Sequence, residues 1–181
     1  MVIVNIGTNV MPRKELDSYY TPNFLVKSFL NKHYFVLSGR VLEPCVGEQA
    51  IADELRKHVK GTVITNDINP EVEADYKEDC REFLKREKSF DWIVTNPPFN
   101  IAHEIIPLAY EKASKGIIML LRLSYLEPCK NRRDWLAKHP PNILVINKRV
   151  SFTGDGKSDS CTTAWFCWLK SCKDQLIDFI Y

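Results

Sequence analysis

Asn96-Pro97-Pro98-Phe99 is the run whose residue types and order can do chemistry. Two consecutive prolines supply no backbone N–H. The loop therefore offers acceptors: the Asn96 amide oxygen and its carbonyls. Phe99 adds a flat apolar surface beside them. Acceptors next to a stacking face suit a planar heterocycle carrying an –NH2 group. Asn-Pro-Pro also serves as a plain rigid turn. Position favours chemistry, because Phe90-Asp91-Trp92-Ile93-Val94 before it reads as a buried strand. Open α/β sheets bind ligands at the carboxyl ends of such strands.

Four other stretches carry candidate groups. Thr21-Pro22 precedes Phe24, Leu25, Phe29 and Leu30 at helical spacing, with Thr21 placed as N-cap and Pro22 as the first helical residue. Glu43-Pro44-Cys45-Val46-Gly47 follows a short strand at Val41-Leu42, and its Glu43 can face a cation. Gly47 permits a positive φ or close approach of backbone to a ligand. Asp67 closes a second strand that starts at Val63 and lies twenty residues after Gly47. Nucleotide-binding α/β folds place a carboxylate on ribose hydroxyls at that interval; a surface aspartate at a strand end reads the same way. Asp79 reads as the N-cap of a helix over residues 80–86.

Asn96-Pro97-Pro98-Phe99 resembles the (Asn/Asp/Ser)-Pro-Pro-(Tyr/Phe) motif of S-adenosylmethionine-dependent amino-methyltransferases, and its Asn and Phe are similar to the adenine-N6 branch. Tyr20-Thr21-Pro22 resembles the cofactor-binding motif that precedes the glycine loop in one class of DNA adenine methyltransferases. Glu43-Pro44-Cys45-Val46-Gly47 resembles the Glu-Pro-x-x-Gly signature that wraps the methionine moiety, and Asp79-Cys80 with Phe83-Leu84 resembles the family's Asp-x-x-x-Phe-Leu stretch. The order of these motifs is that class's unpermuted arrangement. Leu121 to Leu126, the Arg149-x-Ser-Phe-Thr-Gly-x-Gly run and Ala164-Trp165-Phe166 resemble small phage-type DNA methylases, so the resemblance runs from Tyr19 to Leu169.

The resemblance implies S-adenosylmethionine as cofactor, held by Tyr20, Thr21, Pro22, Glu43, Pro44, Cys45, Gly47, Asp67, Ile68, Asp79 and Cys80. It implies a target amine held by Asn96 and the Pro97 carbonyl, with Pro98 completing the loop and the flipped base against Phe99 and Phe152. The chain departs from the pattern at Gln49, where a second glycine is common, and a side chain there can narrow the pocket or crowd the loop.

The rest of the chain must position these groups. At 181 residues with a net charge of +2, it is long enough for one buried core and too evenly charged to demand a polyanionic partner. Its six cysteines form no Cys-x-x-Cys pair, which suits reduced thiols in a cytoplasmic protein and no metal site. The longest apolar run, Ile117 to Leu121, is far short of the roughly 20 residues of a membrane span. Residues 111–150 hold nine Lys and Arg against three acids. Arg132 and Arg133 within that stretch are either a solvated helix face or a rim that meets phosphates. Strand-like and helical patterns alternate, with strands at 116–121, 142–147 and 163–169 and helices at 102–113 and 131–138. They give a doubly wound, mostly parallel α/β sheet, and the resemblance implies that it is a Rossmann-like class I methyltransferase domain over residues 19–170 with an antiparallel last strand. Residues 1–18 form an N-terminal extension and residues 171–181 a tail. The expected activity is N6-adenine methylation of DNA, with RNA or a cofactor-binding module without activity as alternatives. No metal and no membrane partner is expected.

Overall fold

The strand ahead of Asn96 forms as its residue types require. In the computed structural model, which describes residues 21–32, 36–150, 161–171 and 175–180, it is β3, Phe90–Thr95, and all but Asp91 is buried. After an irregularity in the pairing between Phe90 and Trp92, its side chains alternate between two apolar layers. Phe90 and Ile93 face one; Trp92 and Val94 face the other. The same alternation holds in β4, Ala113–Arg122, where Ile117, Met119 and Leu121 face the first layer and Ile118 and Leu120 the second. A strand covered on both faces has to be apolar on both.

The first layer is closed by α3, Cys80–Arg86, and α4, Ala102–Lys112; the second by α1, Asn23–Asn31, and α2, Ala50–His58. Pro107 lies inside α4, which continues through it. A short helix α5, Arg133–Lys138, brings Trp135 and Leu136 against the first layer.

The remaining strands are β1, Ser38–Glu43, β2, Lys60–Thr65, β5, Asn142–Ile146, β6, Thr163–Leu169, and β7, Ile177–Ile180. Seven strands form one sheet in the order β2-β1-β3-β4-β6-β5-β7. Only β6 is antiparallel to its neighbours. The mostly parallel, doubly wound sheet is as expected, but the antiparallel strand is not the last. β7 comes from the stretch read as a tail and pairs β5 in parallel, Ile143 opposite Ile177. Four residues, with Ile177 and Phe179 largely exposed, give too short a period to read in sequence. Lys32 fastens this edge, donating to the Phe179 carbonyl at 2.7 Å and pairing with Asp178 at 3.0 Å.

The chain runs from β1 outward to β2, then crosses back to lay β3 on the other side of β1. That reversal opens a crevice at the carboxyl ends of β1 and β3. The loops lining it are gathered by Asn66, which directly follows β2 and is fully buried. Its backbone N–H donates to the Glu43 carbonyl at 2.9 Å and its carbonyl accepts from Val46 at 3.1 Å. Its side-chain NH2 donates to the carbonyls of Pro44 and Glu78, both at 3.0 Å, and its amide oxygen accepts from the Glu78 N–H at 3.3 Å. One side chain thus holds the loop after β1 against the loop before α3.

Asn66→Ala leaves two carbonyls and one N–H without this partner in the interior. At about 1–3 kcal/mol per unmet buried group, partly relieved by local movement, it should lower stability by about 2–4 kcal/mol. Urea unfolding followed by circular dichroism measures this, and a loss under about 0.5 kcal/mol would show that the contacts do not hold the loop.

Candidate active site

A cavity of about 240 Å³ opens at the carboxyl ends of β1, β2 and β3. The end of β1 and the loop after it contribute Glu43, Pro44, Cys45 and Gly47; the segment after β2 contributes Asp67 and Ile68; the start of α3 contributes Asp79 and Cys80. Asn96, Pro97 and Pro98 form its wall under β3, and Thr21 reaches it from just before α1. Residues from five separate stretches of sequence therefore meet in one place. Pro22 and Phe99 do not line it, nor do Arg132 and Arg133. Tyr20 and Phe152 lie outside the described residues. Val72, Arg81 and Ile101 also line the cavity, and no motif marked them.

Asp67 is already at work within the protein. One carboxylate oxygen accepts from the Gly47 N–H at 2.8 Å and the other from the Asn69 N–H at 2.9 Å. The acid thereby fixes the glycine loop against the end of β2, and each oxygen keeps a further lone pair for a ligand. Gly47 has φ +49°, and nothing lies within 4 Å of where a Cβ would sit. Its glycine answers to backbone conformation, not to crowding.

Gln49 does not narrow the cavity. It adopts φ 67°, the left-handed conformation that a glycine would take without cost. Its side chain turns away, donating to the Glu73 carbonyl and accepting from Arg56 at 3.1 Å. These ties offset the backbone strain.

Two buried acceptors on the cavity wall lack partners. Glu43 is 1 % exposed, and its Oε2 makes no hydrogen bond. Burial pushes its carboxyl well above the usual carboxylate range, while the Ala52 N–H and the Arg56 charge pull it partly back. Asn96 presents the second. Its NH2 group donates to Thr21 Oγ1 at 3.0 Å, and its buried Oδ1 has no partner. The Thr21 hydroxyl thus orients the amide. The expected Thr21 cap is corrected accordingly: Pro22 is the N-cap, its carbonyl accepting from Leu25 at 3.0 Å, and α1 starts one residue later than read. A proline N-cap has no side-chain acceptor, so the threonine side chain is left to the site.

Asp79 caps α3 through the Arg81 N–H at 2.8 Å and grips the Arg81 guanidinium at 3.0 and 2.6 Å. That pairing holds its carboxyl below the usual range. Cys45 and Cys80 meet at the cavity floor, and contact between the thiols followed by burial pushes Cys45 up. The two arginines of the expected basic rim divide. Arg132 donates to the carbonyls of Tyr125 at 2.8 Å and Ser124 at 3.2 Å and lies over the Tyr125 ring, so it braces the 3-10 turn Leu123–Leu126. Arg133 is exposed beside Asp134. Among the described residues no group of three or more His, Cys, Asp or Glu can hold a metal ion, and no helix is long and apolar enough to cross a membrane.

No protein-family model and no curated protein matches the chain in sequence. Solved structures do match it in fold. A proposed class I S-adenosylmethionine-dependent methyltransferase from Listeria monocytogenes aligns with a TM-score of 0.61 at 12% identity, over 90% of this chain and 66% of that one. A proposed RNA methyltransferase from Pyrococcus horikoshii aligns at 0.64 and 15%, over 85% and 87%. The type I restriction enzyme EcoKI M protein aligns at 0.63 and 14%, over 88% of this chain and 45% of that one. The chain has the Rossmann-like class I methyltransferase fold. In this fold the described cavity occupies the topological switch point, where ligands bind.

Glu43→Gln should make the protein more stable at neutral pH. A carboxyl whose folded value is raised resists ionisation that the unfolded chain accepts freely. The wild type therefore loses stability as pH rises from the ordinary value of 4.5 towards the raised one, and the neutral variant does not. Stability measured by urea unfolding across that window should diverge with rising pH; parallel curves would show that Glu43 carries no such cost.

At Gln49, replacement by Ala keeps the strained conformation and loses the side-chain ties, so it should cost about 1 kcal/mol. Gln49→Gly should recover most of that loss, because glycine removes the strain. Thermal unfolding of both variants tests the order, and an alanine variant as stable as the glycine one would contradict it.

Proposed function

We propose that the protein transfers a methyl group from S-adenosylmethionine to the exocyclic N6 amine of adenine in a nucleic acid, DNA before RNA. The observation that carries this reading is the unpartnered, buried Oδ1 of Asn96 in a loop followed by two prolines. An isolated buried acceptor is costly unless a ligand donor completes it. The amine of adenine is such a donor, and its second N–H can go to the Pro97 carbonyl. Accepting both protons favours the pyramidal amine, whose lone pair is otherwise delocalised into the ring. The same two oxygens stabilise the positive charge that develops on nitrogen. Positioning and charge stabilisation perform the catalysis, with no strong base required.

Bound in the cavity, S-adenosylmethionine supplies the electrophilic methyl group. The cavity's own groups suit it. Glu43, whose carboxyl burial pushes well above the usual range, is placed to face a cationic amino group. Asp67 retains acceptor capacity for ribose hydroxyls and Ile68, 54 % exposed, offers an apolar face for adenine. Pro44, Cys45, Gly47 and Cys80 shape the walls between them. Asp79 can accept from the cofactor's adenine amine through its remaining lone pairs. Phe99, with Phe152 as a second aromatic, would hold the base after it is flipped out of a helix. Arg133 and the basic stretch around it would meet phosphates. Neighbours of this fold are described as an RNA methyltransferase and as a restriction-enzyme M protein, which supports a nucleic-acid substrate.

Labelled methyl incorporation into separate DNA, RNA and protein pools tests the reading. In the same assay at saturating cofactor, Asn96→Ala should lower kcat by about 10²–10³-fold, as loss of one preorganised polar group does. Cofactor affinity should change little. Phe99→Ala should raise KM and lower kcat together, and Phe99→Tyr should recover much of the activity. An Asn96→Ala protein that methylates at the wild-type rate would reduce the loop to a structural turn.

A further inference from the structure

Backbone geometry leaves the Asn96 amide one freedom, the exchange of its two ends. The loop divides at its prolines: Asn96, Pro97 and Pro98 line the cavity, whereas Phe99 packs against the apolar layer that β4 shares with α3 and α4. The prolines fix the path between them. The NH2 and oxygen ends of an asparagine amide have nearly the same size, so packing does not tell them apart. Hydrogen bonds do. Among the described residues the Asn96 side chain has one such bond, donated by its NH2 group to Thr21 Oγ1 at 3.0 Å. Its Oδ1 is buried and unpartnered.

The hydroxyl that receives this bond is itself firmly placed. Thr21 is 7 % exposed, and the ring of Pro22 confines the backbone before it to extended conformations. A β-branched side chain there has few rotamers. Pro22 opens α1, whose Leu25, Val26 and Phe29 are buried in the second apolar layer. The hydroxyl is therefore carried on an anchored helix start, seventy-five residues from the amide it meets. A hydroxyl suits this task, because it accepts from an NH2 group where a methyl cannot. Turned end for end, the amide would set its N–H donors against those of an amine, and no bond would form.

We propose that Thr21 is a positioning residue for the transfer step: it holds the NH2 end of the Asn96 amide and so commits Oδ1 to the target amine. The inference rests on the function proposed above, and Thr21 acts in it through Asn96. A helix-cap reading of Thr21-Pro22 gives the threonine no such part.

The test is a double-mutant cycle read by labelled methyl incorporation into a mixed-sequence DNA duplex and the matching RNA, at saturating cofactor. Thr21→Val keeps the shape and removes the acceptor. It should lower kcat by about threefold to tenfold, the contribution of one hydrogen bond, with KM for the nucleic acid within about twofold of wild type. Thr21→Ser keeps the hydroxyl and should recover most of that loss. In the Asn96→Ala background, Thr21→Val should change kcat by less than about twofold, because the group that Thr21 positions is gone. An equal loss in both backgrounds overturns the inference and reduces Thr21 to a structural support of α1. So does a serine variant no better than the valine one, or a Thr21→Val protein with the wild-type kcat. Should Thr21→Val fail to fold, Thr21→Ala takes its place in the same cycle, with the same outcomes. A wild-type protein that methylates neither DNA nor RNA, or an Asn96→Ala protein at the wild-type rate, defeats the proposed function itself. Both are seen before Thr21 is changed.

Discussion

The buried amide of Asn66 is the constraint on which the site depends. An amide taken out of water is tolerable only when its donors and acceptor are met, and here they are met by the backbone of two loops, through Pro44 and Glu78. The stretch from Pro44 to Gly47 has no regular structure to stabilise it. Its shape comes from Asn66 on one side and from Asp67, holding the Gly47 N–H, on the other. Two adjacent residues at the end of β2 therefore set the cavity wall that β1 cannot set alone. Helix α2 then starts from that fixed loop, through a residue forced left-handed at Gln49.

Against this satisfied network, Glu43 and Asn96 are exceptions. Glu43 is buried and Asn96 half-buried, both line the cavity, and each leaves one buried oxygen without a hydrogen bond. A fold selected for stability alone would replace a carboxyl 1 % exposed with a neutral or apolar group. The Asn96 amide is oriented by Thr21, so its idle oxygen is held in place by a bond made at the other end of the same group. Unmet acceptors on a preorganised frame are what a site complementary to a donor-bearing, cationic ligand requires.

How much of this was legible in the sequence depends on whether a feature is local. Buried strands were readable, since Ile93-Val94 and the run from Ile117 to Leu121 admit few other environments. Helix α3 and strand β6 fall on the residues expected, and the loops bearing Glu43, Asp67, Asp79 and Asn96 do converge. Features fixed by distant partners were not readable. Thr21-Pro22 has the local signature of a helix cap, yet the threonine hydroxyl meets Asn96, seventy-five residues away. Arg132 looked like a surface charge and is instead a brace for two carbonyls. Asn66 passed as an ordinary residue beside a more conspicuous aspartate, and β7 passed as a tail because its pairing with β5 is long-range.

The division of the Asn-Pro-Pro-Phe loop follows from backbone geometry, and it has consequences for catalysis. Consecutive prolines fix φ at two positions, so the relative directions of Asn96 and Phe99 are set with little conformational freedom left to lose. The acceptor is thereby held on the cavity side and the ring on the β4 side, one loop apart. On the proposed function, one base would meet both the Asn96 acceptor and the Phe99 ring. For the proposed methyl transfer to an aromatic amine, such positioning would lower the entropic part of the barrier. Helices α3 and α4 reinforce it from beneath: Ile105 and Ile106 of α4 and Phe83 and Leu84 of α3 are fully buried against β3 and β4. Close packing of that layer leaves the loop no room to shift without opening a cavity. Rigidity in the core beneath Phe99 would thus serve the proposed site, although none of those four residues lines the cavity.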